Sequence, residues 1–355
     1  MSAIRYRLAV VVLACNIALV GVTEAQAQST QYSGSGAYAW VDGSWQSIGL
    51  PTYDLGWRTQ SPFMTGPIVV VNPVKPRVDG TGVNAAIGFK LPSGFGSNAR
   101  IEFGGSVINA DDSESGTFVA NAANNGHGLQ NVAGTNIFGN SCLAPCTFAS
   151  ALTTDYDSWQ LNGKYATDFR AGTLTWTPSV SIFGGRADTS QDLTQRVLFT
   201  TGNSGTYNVN TELHSNDIGA KLGLDVMAPI NRWVSAGLGG SIGLAHRRAD
   251  LDADDSAAAF TAGNPVPFST KTAFATASDT TTAFLASAVA RLTLTPANGW
   301  SLSALAGLSF DNSVAGIQAP GTPNPVGTPG TTTPIGIKFQ SETSYFAGGS
   351  LRVNF

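Results

Sequence analysis

Three histidines, three cysteines and a scatter of charges in alternating segments are the residues of this 355-residue chain with chemistry to offer. His214 and His246 flank a tight turn read at Ala228–Asn231. Folding two strands about that turn opposes residues whose numbers sum to about 460, which sets the two imidazoles side by side near Asp217 and Asp250. Such a group could bind a metal or serve a hydrolase at the rim of a sheet. Both histidines, however, share parity with the apolar residues Ile218, Ala220, Leu222 and Leu224, and Leu238, Ile242 and Leu244. They therefore point away from an interior, and the preferred reading is an interfacial polar collar that meets lipid phosphates together with Arg248. No catalytic residue, metal site or cofactor is assigned, and the chain is not read as an enzyme.

Cys142 and Cys146 stand three residues apart with Pro145 between them, in a stretch rich in Gly and Asn. In an oxidising compartment two neighbouring cysteines read as a local disulfide. A metal site is the alternative, but the nearest histidine is His127.

The segment-borne charges are Lys90, Arg100, Glu102, Lys164, Asp168, Asp217, Lys221, Asp225, Arg247, Arg291, Asp311, Glu342 and Arg352. They share the polar face of their segments and carry both signs almost evenly. A charge within a membrane span is costly unless it faces water or an opposite charge. Lining the lumen of a narrow barrel, these residues would form a small polar channel or a network of pairs that plugs it.

The elements that must hold them are strands. Charged residues make up only 12% of the chain, against ~25% for soluble domains. Beyond the N-terminus no apolar run reaches the ~18 residues of a membrane helix. The net charge of −4 and the lack of a basic stripe exclude nucleic acid as a partner. Arg5 and Arg7, then the apolar Leu8–Val22 and Ala25-Gln26-Ala27, read as a secretory signal cleaved after Ala27. An uncleaved anchor and acylation at Cys15 are the alternatives.

From about residue 82 apolar and small or polar residues alternate. In Trp233–Arg247, Val234, Ala236, Leu238, Ile242 and Leu244 oppose Ser235, Gly237, Gly239, Ser241 and Gly243. Segments of this kind are read at 33–42, 82–91, 98–109, 154–167, 173–186, 212–227, 232–248, 281–295, 299–311 and 339–355. Short turns at 92–97, 169–172, 228–231 and 296–298 alternate with long connections at about 43–81, 110–153, 187–211, 249–280 and 312–338. That is the topology of short periplasmic turns and long extracellular loops. The long connections, including the proline-rich 316–336, are read as surface loops. The run Ile68-Val69-Val70-Val71 could be a strand extension or half of an extra hairpin. Trp176, Trp233, Trp300 and Phe355 suit an aromatic girdle at the membrane interface. A soluble β-sandwich is the competing architecture; it would not repeat an apolar face strand after strand beside a face of Gly, Ser and Ala.

The last segment places Tyr345, Ala347, Gly349, Leu351, Val353 and Phe355 on one face and Gln340, Glu342, Ser344, Gly348, Ser350, Arg352 and Asn354 on the other. A closing strand of this kind ending in Phe resembles the insertion signal of bacterial outer membrane β-barrel proteins. The resemblance implies recognition by the barrel assembly machinery and a place in the outer membrane of a Gram-negative bacterium. The expectation is an all-β, antiparallel up-and-down barrel of about ten strands, with eight or twelve as alternatives, formed by residues 28–355 as a single domain. Expected partners are outer membrane lipid, lipopolysaccharide and small solutes. The leading function is porin-like, narrow passage of small solutes. The alternatives are a structural or surface-interaction barrel with a plugged lumen, and a rim-located hydrolase.

Overall fold

The computed structural model describes residues 36–60, 69–71, 74–92, 98–121, 126–141, 146–296, 299–320 and 333–355. The expected leader, residues 1–27, lies outside these residues. In chain order the strands are β1 Ala37–Gly49, β2 Arg58–Gln60, β3 Val69–Val70, β4 Arg77–Lys90, β5 Ala99–Ala120, β6 Gly126–Gln130, β7 Asn136–Ser141, β8 Cys146–Thr167, β9 Phe169–Ala171, β10 Leu174–Leu198, β11 Ser204–Pro229, β12 Val234–Phe260, β13 Ser269–Leu294, β14 Trp300–Gln318 and β15 Gly336–Asn354.

Ten of them close an antiparallel barrel in the order β1-β4-β5-β8-β10-β11-β12-β13-β14-β15, and β15 returns to β1 from Tyr38↔Asn354 to Ser47↔Tyr345. Each strand pairs with its successor in the wall, so no edge is left within the hydrocarbon region. The outward residues there are large and apolar: Ile182, Ile218 and Leu238 are each about two-thirds exposed. A closed wall with such a belt, and short turns on the side that holds the C-terminus, is an outer membrane β-barrel.

Strands β10 to β13 run for 25 to 27 residues, against the ~9–11 that cross a membrane. The stretches 187–211 and 249–280, expected to be loops, are mostly the outer continuations of these strands, and the ends of 110–153, up to residue 120 and from 146, likewise extend β5 and β8. The cause is an inversion of pattern. In the membrane portion of β11 the even residues Ile218, Leu222 and Leu224 face lipid; farther out the odd residues Tyr207, Val209 and Leu213 are buried. The ladder with β12 runs unbroken through the change. Water replaces lipid outside the wall, so the apolar residues turn inward without any backbone irregularity.

The inner face of this outer storey is packed rather than open. Strands β2 and β3 and the β6–β7 hairpin fold into it as a small sheet ordered β3-β2-β6-β7. Trp57, Val71, Leu129 and Val132 from these segments join Phe148, Val197, Tyr207, Val209 and Leu251 of the wall in one buried cluster. Val69–Val70 of the expected apolar run thus supply a strand paired with β2, with Thr59↔Val69, but inside the barrel rather than in its wall. Gly56 permits the entry: its φ is +107°, and a Cβ there would lie 2.0 Å from Oε1 of Gln195.

The outer storey is not a full cylinder. Pairing of β4 with β5 stops at Asp79↔Asp111, and pairing of β13 with β14 stops at Leu285↔Asp311. Above those points the sheet is the curved half-pipe β5-β8-β10-β11-β12-β13. At the fork Asn312 Oδ1 accepts the Phe284 N–H at 2.7 Å, and β14 leans inward to place Ala315 and Ile317 in the buried cluster. The ladder of β14 with β15 continues to Gln318↔Gly336, so part of the expected 316–336 loop is strand; residues 321–332 lie outside the described ones.

Candidate functional site: the charged lumen beneath a plug

The charges on the polar strand faces gather in two layers. At the periplasmic end Arg100 bridges β5 to Asp168 (Nη1–Oδ1 2.6 Å) and to Glu102 (Nε–Oε1 3.2 Å). Glu102 also faces Lys164 Nζ at 3.9 Å and accepts a hydrogen bond from the Tyr38 hydroxyl. Thr177 donates to Asp168 at 2.7 Å, and the Arg352 guanidinium lies 3.8 Å from the centre of the Tyr38 ring. Lys90 stands opposite Arg100 in the β4–β5 ladder.

Nearer mid-barrel, Arg247 makes two bonds to Asp217, 2.6 and 2.8 Å long, and an ion pair to Asp311 of 2.8 Å. Its third nitrogen donates to the Ser313 carbonyl at 2.6 Å. Asp217, Arg247 and Asp311 come from β11, β12 and β14, and β13 lies between the last two, so the cluster reaches across the interior. Lys221 sits 4.5 Å from the centre of the Phe183 ring. Asp225 stands opposite Gly239, while Asp42 bonds to Ser350 with Arg291 among the charges acting on it. Glu342 pairs at 3.1 Å with Lys75, which belongs to the chain leaving the inner sheet.

Above the Arg247 layer is a cavity of about 260 Å³, lined by polar groups such as Gln160, Ser158 and Asp217 and by the apolar Ile108, Leu213 and Val314. The plug lies beyond it, fastened to the wall by polar groups. Gln195 accepts the Trp57 N–H at 2.7 Å and donates to the Val71 carbonyl at 3.5 Å. Asp255 Oδ2 accepts the Val132 N–H at 2.6 Å and the Tyr207 hydroxyl at 3.0 Å. Burial holds the Asp255 carboxyl above the usual carboxylate range, and burial with the nearby Asp255 charge pushes the Tyr207 phenol well up. Arg58, also buried, donates to the carbonyls of Pro320 and Asp54 at 3.4 and 3.3 Å. His127 is 1% exposed among the rings of Phe199 and Trp57, centred 5.3 and 5.4 Å away, and desolvation lowers its pKa to about 4.

The expected pairing of His214 with His246 is corrected. The chain turns around Ile230–Trp233, with Pro229↔Ser235 the last rung, so opposed residues sum to 464 rather than 460. His214 then faces Asp250 in β12 and His246 faces Ile218. His214 Nδ1 lies 2.7 Å from Asp188 Oδ1, which also accepts from Arg186 at 2.6 Å. At the other end of the wall Trp176, Trp233 and Phe355 are between a third and half exposed, Trp300 less so, and Arg232 stacks 5.0 Å from the Trp233 ring. Cys146 is buried, and its expected partner Cys142 lies outside the described residues.

Sequence reasoning missed Trp57, Gln195, Tyr207 and Asp255. For Tyr207 a signal existed: Tyr207, Val209, Thr211 and Leu213 alternate with Asn208, Asn210 and Glu212, in the parity opposite to the lipid-facing row.

No family model and no curated protein matches the chain. Among solved structures, the outer membrane protease OmpT of Escherichia coli aligns with 92% of this chain and 99% of its own at 8% identity and a TM-score of 0.44. The toluene transporter TodX of Pseudomonas putida aligns with 91% of each chain at 8% identity and a TM-score of 0.23. The translocator domain of the autotransporter NalP from Neisseria meningitidis covers 92% of this chain and 90% of its own at 11% identity and a TM-score of 0.21.

Proposed function

We propose that this protein is a sealed, non-catalytic outer membrane barrel whose working part is the ordered β-structure that it holds above the membrane. The observation that carries this reading is the apolar core in the outer half of the lumen, where Trp57, Leu129 and Val132 from the infolded segments pack against Phe148, Tyr207 and Leu251 of the wall. A wide porin lumen is polar and wet; this one carries a buried apolar cluster at the level where solutes would enter. The ion pairs beneath then tie adjacent and next-but-one strands together, and the extension presents its outer surface to the surroundings. Arg186, His214 and Arg248 begin that surface just beyond the apolar belt, at the level of lipopolysaccharide headgroups. The closing strand to Phe355 would carry the assembly signal, the leader would end at Ala27, and Cys142 with Cys146 would form a local disulfide.

A second reading, gated passage of small solutes, draws on the cavity of about 260 Å³ between plug and Arg247. Single-channel recording from the refolded mature chain, residues 28–355, separates the two. A heat-modifiable, folded barrel that stays silent supports the sealed reading. Discrete currents that change size on Lys221→Gln or Arg291→Gln would replace it with the gated one.

A further inference from the structure

Among the described residues, strand β13 is flanked on both sides in the membrane but on one side only above it. Its odd positions bond to β12, as the Thr295 N–H does to the Trp233 carbonyl at 2.7 Å just past the strand end. Its even positions point the other way, toward the place β14 vacates above the Leu285↔Asp311 rung. Two of those donors are met by side chains instead of a strand: Phe284 N–H by Asn312, and Thr280 N–H by Asp279 Oδ1 at 2.7 Å. Among the described residues no strand pairs with β13 from Ser269 to Phe284 on this side. Such an edge is a template for another strand.

The segment is Ser-Thr-Lys-Thr-Ala-Phe-Ala-Thr-Ala-Ser-Asp-Thr-Thr-Thr-Ala-Phe, and its only charges are Lys271 and Asp279. Charges on an edge ordinarily keep it solitary. These two are opposite in sign and placed symmetrically about Ala275. Antiparallel pairing of two such edges about a dyad at Ala275 sets Lys271 of each copy against Asp279 of the other. In that register the bonded rungs join even residues, Thr270 to Thr280 and Thr272 to Ser278, which are the positions whose groups face the open side. Shifting the dyad to the next bonding register, at residue 276 or 274, removes both charge pairs.

We infer that the outer edge of β13 is a homophilic docking strand that receives the same strand of a second copy. The inference rests on the reading of the extension as a surface-presenting structure. It also fixes where the second copy sits. In every copy β13 runs from the tip toward the membrane, so two upright barrels in one membrane present it in the same sense. Antiparallel pairing instead requires barrels in two facing membranes, bridged over ~40 Å along the Ser269–Thr281 overlap. The chain's own residues 321–332 are a poorer occupant, because Pro323, Pro325 and Pro329 have no N–H to give a ladder.

The test uses the full folded barrel in phosphatidylcholine–phosphatidylglycerol vesicles, with clustering followed by light scattering. Wild-type vesicles should cluster. Lys271→Glu vesicles and Asp279→Lys vesicles should each lose clustering at least tenfold, since each puts like charges together. Mixed with one another, the two should cluster again, because Glu then meets Lys and Lys meets Asp. Ala275→Cys should yield an intervesicle disulfide dimer on mild oxidation, the dyad being a non-hydrogen-bonded position with Cα atoms ~4.5 Å apart. Dispersed wild-type vesicles, no complementation in the mixture, or a monomeric Ala275→Cys protein would each overturn the inference; the last is also what an edge covered by residues 321–332 would give. A barrel that conducts yet clusters removes the sealed-lumen reading and leaves this one standing, and a silent barrel that fails to cluster does the reverse.

Discussion

Tyr207 on β11 and Val132 in the β6–β7 turn both donate to one oxygen of Asp255 on β12, at 3.0 and 2.6 Å. The same tyrosine hydroxyl lies 3.3 Å from the Gln130 carbonyl, so wall and plug share a three-way polar joint inside an otherwise apolar cluster. Replacing Asp255 by Ala strands the Val132 N–H and leaves the phenol with the Gln130 carbonyl alone. Hydrogen bonds to a charged group contribute ~1.5–3 kcal/mol, so the plug should loosen by about that amount while the membrane wall stays closed. Limited proteolysis would read this as faster cleavage between residues 121 and 146 in a barrel that is still heat-modifiable. Unchanged cleavage would dissociate the joint from plug stability.

His127 makes the plug sensitive to acid. Its pKa of about 4 in place lies below the ordinary 6.5 that it regains when the plug is released. A histidine with a depressed pKa contributes its full stability above 6.5 and loses it as the pH falls toward 4. The difference of ~2.5 pH units amounts to about 3 kcal/mol. Plug protection measured by hydrogen exchange should therefore drop between pH 6.5 and 4, and His127→Phe should flatten that slope. Asp255, whose carboxyl is raised, acts in the opposite sense, but it is common to both proteins and cancels in the comparison.

Gly56 should not tolerate a side chain. Its left-handed backbone and its contact with Gln195 make Gly56→Ala a strained change, of order 1–3 kcal/mol, located at the entry to the plug. Denaturant unfolding monitored by tryptophan fluorescence should show an early loss of the buried Trp57 signal. A variant that melts like the wild type would mean that Gln195 yields without consequence.

Arg247 holds two carboxylates at a depth where neither can be left alone. Arg247→Ala leaves Asp217 and Asp311 facing each other, and breaking a buried ion pair in this way costs about 3–5 kcal/mol. The folded fraction on unheated gels should fall, and adding Asp217→Asn with Asp311→Asn should recover much of it. If the triple variant is no better than the single one, packing of the arginine stem dominates.

Cys142 and Cys146 are expected to be joined. Alkylation in denaturant without reductant should then leave both unlabelled, and prior reduction should expose two thiols; labelling without reduction would rule the bridge out.

The membrane wall was legible because lipid demands one apolar face on every strand, as in Leu238, Ile242 and Leu244, and because the short turns interrupt it regularly. The outer storey was not, for two reasons. Its apolar residues sit on the other parity, so Leu193, Val197, Tyr207 and Leu251 look like loop residues to a search for one continuous face. The plug strands are 2 to 6 residues long, too short for alternation to register, and they find their partners far away in sequence, as Arg58↔Gly128 does. The histidine pairing failed through a four-residue error in register: the turn was centred two residues too early.

The inversion of parity along β10 to β13 also works as a waterline. Sinking the barrel by one strand step would draw Asn216 and Arg248 into hydrocarbon, and raising it would lift first Ile218 and then Leu244 into water. Both displacements are opposed, on strand after strand around that side of the wall. The protein therefore floats at one height, and everything above the line, the free edge of β13 included, is held at a fixed reach from the cell.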